Sequence, residues 1–199
     1  MGLSPFQVGL LFAARQVGAG IAQLPAGFIG DNLKSRGTFL LATFWCVSAA
    51  QLLTSGSTDY WAVVGFLTIG SIGAAAWHPV AMGVMTQWMP DRKAFVLGMH
   101  VMGGTVAEIV APLVVGILLT FLSWNQVLQI NTIPTIILGL IFIRLTSMVT
   151  GPPRGFGIGL NLRGLAASVM QPGALAILLA IILHNMSIVA FMSMAPLYF

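Results

Sequence analysis

Arg15 and Glu108 stand in the middle of long apolar runs in this 199-residue chain. Counted at ~1.5 Å per residue, both fall near mid-depth of the helices those runs predict. A charge at that depth costs at least ~2.5–3.5 kcal/mol on insertion scales, so it normally faces a partner or a water-filled cavity. The two either pair with each other or face a cavity. A static pair gains little over apolar packing, which favours a substrate or proton path. Three histidines add groups that titrate near neutral pH and could relay protons. His78 precedes Pro79, whose ring removes one intrahelical bond and predicts a kink. His100 lies at similar depth in the next run, and His184 nearer mid-depth in the last. The bland reading of each is a neutral, hydrogen-bonded histidine. None stands at metal-ligand spacing from another His or from Cys46, so no metal site is expected. No cofactor is implied.

Enzymatic chemistry finds little support. The chain has no HExxH, no P-loop, no nucleophile elbow and no paired loop carboxylates. An enzyme would have to work within the membrane from Glu108 and scattered histidines, with Asp31 and Asp91 as the carboxylates of the basic-side loops.

The elements that carry these residues follow from composition. The chain is 58% hydrophobic and 6% charged, with 8 Lys and Arg against 4 Asp and Glu. A soluble domain is about 25% charged, and so few charges could not cover a folded surface. Soluble, disordered and nucleic-acid-binding classes are thereby excluded, although a pI near 10.0 superficially suggests the last. Six apolar segments, at about 6–30, 38–55, 60–88, 94–122, 126–146 and 173–198, are near or above the ~20 residues a spanning helix needs. They are too long and too little alternated for barrel strands. The expectation is an all-α membrane protein, a polytopic bundle of about six helices. Turns are marked at Gly30–Gly37, Thr54–Asp59, Met89–Lys93 and Ser123–Gln126, and a Gly- and Pro-rich linker at about 147–172.

Lys and Arg set the orientation. Lys34, Arg36, Arg92, Lys93, Arg144, Arg154 and Arg163 all fall on one side, which is expected to be cytoplasmic. That topology places Met1 outside and runs the last segment into Phe199 with no polar end. A helix before Met1 and more chain after Phe199 are therefore expected. Small residues at every fourth position, Ala14, Gly18, Ala22, Ala26 and Gly30, form one stripe on the first helix. Gly103, Ala107 and Ala111 repeat it on the fourth, and Gly70 with Ala74 on the third. Such stripes allow close backbone approach, either for plain packing or for a sliding contact.

Two of these stretches resemble motifs of the major facilitator superfamily (MFS) of transporters. Gly27-Phe28-Ile29-Gly30-Asp31-Asn32-Leu33-Lys34-Ser35-Arg36 resembles the loop between helices 2 and 3 of that family. Gly27, Asp31 and Arg36 keep its pattern of Gly, three residues, Asp and a final basic residue, while Asn32, Lys34 and Ser35 depart from it. Gly98, Ala107, Ala111-Pro112 and Val115-Gly116 resemble the helix 5 motif of antiporter-type members, with Gly98, Pro112 and Gly116 retained. Trp77-His78-Pro79 with Gly103-Gly104 and Ala111-Pro112 looks most like the fosmidomycin-resistance type of efflux branch.

The resemblance implies that the six segments are helices 2 to 7 of a twelve-helix fold with a midplane site. Residues 1–146 would then belong to the N-terminal half without its first helix. Residues 147–172 would be the cytoplasmic loop between halves, and 173–199 the first helix of the C-terminal half. It further implies that the third and last segments line the cavity, and that Asp31 latches the outward-open state. The resulting expectation is secondary transport of a small solute by alternating access, coupled to protons, with efflux favoured over uptake. Gly27, Asp31, Arg36 and Pro112 are the gating candidates, and Arg15, Glu108, His78 and His100 the substrate or proton-coupling candidates. The partners are the solute, protons and the bilayer of the plasma (inner) membrane, without nucleic acid. The alternatives are a non-transporting membrane scaffold and an intramembrane enzyme.

Overall fold

A computed structural model describes residues 2–149, 167 and 170–194. The described residues are helical, with no strand among them. The long helices are α1 (Pro5–Asn32), α2 (Arg36–Ser55), α3 (Tyr60–Trp88), α4 (Lys93–Leu119), α5 (Trp124–Leu145) and α6 (Pro172–Met194). Short 3-10 turns, Pro90–Arg92 and Thr146–Met148, precede α4 and follow α5. The apolar runs thus mark each helix to within a few residues. Most of the expected 147–172 linker, residues 150–166, 168 and 169, lies outside the described residues.

Five helices are long and apolar enough to cross a membrane, α2 to α6. The 28-residue α1 is long enough, but Gln7, Arg15, Gln16 and Gln23 make it more polar. Helix starts have local causes. The Asp59 carboxylate accepts from the Ala62 N–H at 2.8 Å, and the Gln126 side chain accepts from the Ser123 N–H at 3.0 Å. Each occupies a donor that a helix N-terminus leaves free. Prolines 25, 79, 112 and 134 all lie inside helices that continue through them. Each deprives the carbonyl four residues earlier of its N–H partner, as TM helices tolerate.

The chain forms two compact units. One takes in Ala13–Pro153 and the other Gly2–Phe12 with Arg154–Phe199, of which α6 is the main described part. In the larger unit α2 packs between α3 and α5. Gly70 and Gly73 of α3 let α2 approach: a Cβ on either would lie 3.1 Å from the Ala50 Cβ and 2.9 Å from the Cys46 sulfur, respectively. On the other side Gly139 of α5 lies against Phe44 and Trp45. Polar ties join the same pair of helices. Asn125 donates to the Ser55 carbonyl at 2.6 Å, and the fully buried Thr132 hydroxyl lies 3.2 Å from the Gln51 side-chain oxygen. The buried core, Leu40, Val80, Ala81, Val84 and Val149, sits toward the end where α2 starts and α3 ends.

The small-residue stripe of α1 is the seam to α3. Gly18, Ala26 and Gly30 are its buried residues, with Gly18 against Thr68 and Ile72 and Gly30 against Val80. The matching stripe of α4 behaves differently. Every residue from Val101 to Val114 is exposed. The smaller unit's α6 is apolar on all sides, and His184 is exposed there.

Candidate functional site

Between α2, α3, α4 and α5 lies a cavity of about 690 Å³. Its wall is built by helical spacing. Thr43 and Val47 are four apart on α2, and Ala74, Trp77 and His78 share one face of α3. On α4, Met99, His100, Gly103 and Gly104 face it, and on α5 Thr135 and Leu138, three apart. Rings close one part of the wall. Phe44 and Trp77 meet edge to face, with centroids 4.9 Å apart, and Phe142 packs against both. Such pairs hold ring orientation at ~0.5–1.5 kcal/mol each. Neither Gly103 nor Gly104 has a neighbour where a Cβ would stand, so the missing side chains become cavity volume.

His78 and His100 come together in this wall. The Nδ1 of His78 lies 3.2 Å from the Nε2 of His100, and the rings are nearly perpendicular at 81°. Two neutral imidazoles satisfy that contact with one N–H donor and one bare nitrogen. Their equal depth in antiparallel helices was legible in the sequence, but their facing each other was not.

Arg15 and Glu108 do not pair. The Arg15 Nε donates to the Ser71 hydroxyl on α3 at 3.2 Å, and Ser71 in turn donates to the Leu67 carbonyl. Glu108 is exposed on α4, without a hydrogen bond or ion pair among the described residues. Ser71 lies two turns along α3 from His78, ~10 Å in axial rise. Neither Arg15 nor Glu108 lines the cavity between α2 and α5.

The turn between α1 and α2 forms a second centre. Arg36 is only 2% exposed. Its Nε donates to the Gly30 carbonyl at 2.7 Å, and an Nη donates to the Gln87 side chain near the end of α3 at 2.6 Å. Its other Nη lies 3.8 Å from the Asp31 carboxylate, which is 55% exposed. One guanidinium thus ties the end of α1 to the end of α3. Beside it the Gly37 N–H donates to the Val149 carbonyl at 3.2 Å, and a Cβ at Gly37 would collide with the Thr146 backbone. Gly27 lies against Pro79, next to His78. Pro112 is exposed within α4 and frees the Glu108 carbonyl.

Sequence reasoning missed Gln87, Thr43, Phe44, Met99, Thr135 and Leu138. The spacing of three and four about Trp77-His78 and His100-Gly103-Gly104 was the available signal for the wall. Nothing local marks Gln87, since its partner is 51 residues away.

The fold and these two centres define a multi-pass membrane protein with a solute-sized cavity and a tied helix turn at one end. The model of the Major Facilitator Superfamily matches residues 1–199, and the chain belongs to that family. It is a family of transporters, not enzymes. The chain is similar to the D-galactonate transporter of Escherichia coli O6:H1 (strain CFT073), 29% identical over 156 residues. That alignment takes in 77% of this chain and 35% of the relative, so the chain spans about a third of that protein's length. No solved structure matches.

Proposed function

We propose that this chain belongs to a secondary transporter that moves a small organic acid by alternating access, coupled to protons and outward in preference to inward. The observation that supports it best is the cavity of about 690 Å³ walled by apolar side chains and a histidine pair inside a membrane bundle. Pockets of 300–1,000 Å³ suit small solutes. Coupling is assigned to groups that can hold or exchange a proton, His78 and His100 in the cavity wall and Glu108 farther along α4. Arg15 supplies a fixed positive charge toward an anion. The Asp31–Arg36 turn, with Gly27 and Pro112, belongs to the gating parts.

The solute class rests on the relative, whose printed substrate is a carboxylate. The outward preference rests on the Gly98, Pro112 and Gly116 pattern and on the looser likeness to the fosmidomycin-resistance branch. The residues fit a division of N-terminal half, connecting loop and first helix of the second half at 1–146, 147–172 and 173–199.

The test is flux through the full-length protein in proteoliposomes. Radiolabelled organic acids should cross at a rate that changes when an ionophore collapses the pH gradient. Glu108→Gln and Arg15→Ala should each lower the rate at least about tenfold, a rise of ~1.4 kcal/mol in the barrier. Flux indifferent to the gradient and to both substitutions would remove proton coupling and these residues from the mechanism.

A further inference from the structure

We propose that the His78–His100 pair is a carboxylate-binding site, and that the acid it holds carries an apolar, aromatic-sized body lying in the α2–α5 cavity. It deepens the reading above, on which it rests for the step from binding to transport.

The wall chooses among solute classes. A cationic solute would need a carboxylate, and none lines the cavity. A polyhydroxylated acid would need many hydrogen-bonding partners. Besides the imidazoles, the side chains of the wall offer the hydroxyls of Thr43 and Thr135 and the indole N–H of Trp77, too few for a chain of hydroxyls. The Thr43 proton is already given to the Leu40 carbonyl at 2.7 Å. Each unsatisfied hydroxyl would cost ~1–3 kcal/mol. Phe44, Trp77, Met99 and Leu138 instead offer rings, a thioether and an aliphatic surface. At Gly103 and Gly104 a Cβ would meet nothing within 4 Å, so an apolar body can lie against bare backbone there.

The pair supplies the charge. While both imidazoles are neutral, one N–H points at one bare nitrogen across 3.2 Å. Adding one proton to that bare nitrogen turns the contact into two N–H groups facing each other. They repel unless an acceptor comes between them. A carboxylate oxygen accepting from both restores two charge-assisted hydrogen bonds. The loaded site then holds one proton and one anion and is electrically neutral. Losing the proton restores the N–H···N contact and releases the acid. Binding of the proton and binding of the anion are therefore linked.

Among the described residues, no other ionisable group lines the cavity with the pair. Neither α2 nor α5 contributes one to the wall. Arg15 reaches α3 at Ser71, ~10 Å along the axis from His78, and Glu108 lies ~12 Å along α4 from His100. The pH dependence of binding accordingly belongs to the two histidines.

The experiment is equilibrium dialysis of labelled indole-3-acetate, D-galactonate and tryptamine against the full-length chain in nanodiscs, at pH 5.5 and 8. Indole-3-acetate should bind at least about tenfold tighter at the lower pH, on the acid side of the ordinary imidazole range near 6.5. The other two should bind at least about tenfold more weakly than it does at pH 5.5, for want of two charge-assisted bonds or of hydroxyl partners. His78→Gln and His100→Gln should each remove the pH dependence. In the unsubstituted protein, at pH 7.5 in weak buffer, binding should take up about one proton per acid, a readout that needs no variant. Equal binding of galactonate or tryptamine, a pH profile that survives both substitutions, or no proton uptake would each overturn the site. If the acid binds as expected but does not cross proteoliposomes, the site stands and the transport reading fails. If another solute crosses with proton coupling in the His78→Gln/His100→Gln double variant, the transport reading stands and the site fails.

Discussion

The guanidinium of Arg36 is taken almost wholly out of solvent, and its neighbours differ in kind, leaving one Nη without a hydrogen bond. The Gly30 carbonyl and Gln87 make short hydrogen bonds, whereas Asp31 is half in solvent at 3.8 Å. Exposed pairs of the last sort are worth ~0–1 kcal/mol. Leaving a buried donor unmade costs ~1–3 kcal/mol. Gln87→Leu should therefore lower the melting temperature in detergent by the equivalent of ~1–3 kcal/mol, and Arg36→Lys by at least as much. Asp31→Asn should leave melting nearly unchanged. Any effect of Asp31→Asn on flux then does not come from lost folding stability. A melt lowered as much by Asp31→Asn as by Gln87→Leu would refute that division. At this scale the sequence was legible in part. Arg36 and Asp31 stood out by motif, and Arg15 and Glu108 by depth. Depth fixes the height of a residue and leaves its azimuth open, which is why Ser71 rather than Glu108 proved to be Arg15's partner.

Between elements, the same ambiguity recurs in the glycines. Stripes of small residues mark α1 and α4 alike, yet α1's is a packed seam and α4's is open. Apolar runs locate a helix along the chain, and membrane helices are apolar on the packed face and the lipid face alike, so hydrophobicity does not choose the seam. Space does choose it. A methyl at Gly30 would stand 2.5 Å from the Val80 Cγ2 and 3.3 Å from its Cβ. At Gly37 it would meet backbone, which yields less than a side chain. Gly30→Ala should cost ~1–3 kcal/mol by overpacking, and Gly37→Ala more. Gly116→Ala on α4 meets nothing within 4 Å and should stabilise the helix by up to ~1 kcal/mol. Thermal melts of the three variants in one detergent check the order. Equal losses at Gly30 and Gly116 would mean that α1 does not press on α3 as described.

For the whole molecule, charge placement and helix direction make one claim about sidedness. Lys34, Arg36, Arg92, Lys93 and Arg144 cluster where α1, α3 and α5 end and α2 and α4 begin. The opposite turns, around Thr58 and Ser123, carry no basic residue. Positively charged loops are retained on the cytoplasmic side. The single cysteine makes this accessible to labelling. Cys46 is half-buried, with its sulfur 3.6 Å from the Ile69 carbonyl, and Cys46→Ala removes the background. Lys34, Thr58, Lys93 and Ser123 are exposed, so a cysteine at each should be reachable from its own side of the membrane. In inside-out vesicles a membrane-impermeant maleimide should modify Lys34→Cys and Lys93→Cys and spare Thr58→Cys and Ser123→Cys. Right-side-out vesicles should show the reverse. The opposite pattern would turn the bundle over, placing the Arg36 tie on the outer face. A mixed pattern, with Lys34 and Lys93 on different faces, would break the up-and-down order of α2 and α3 on which the cavity itself depends.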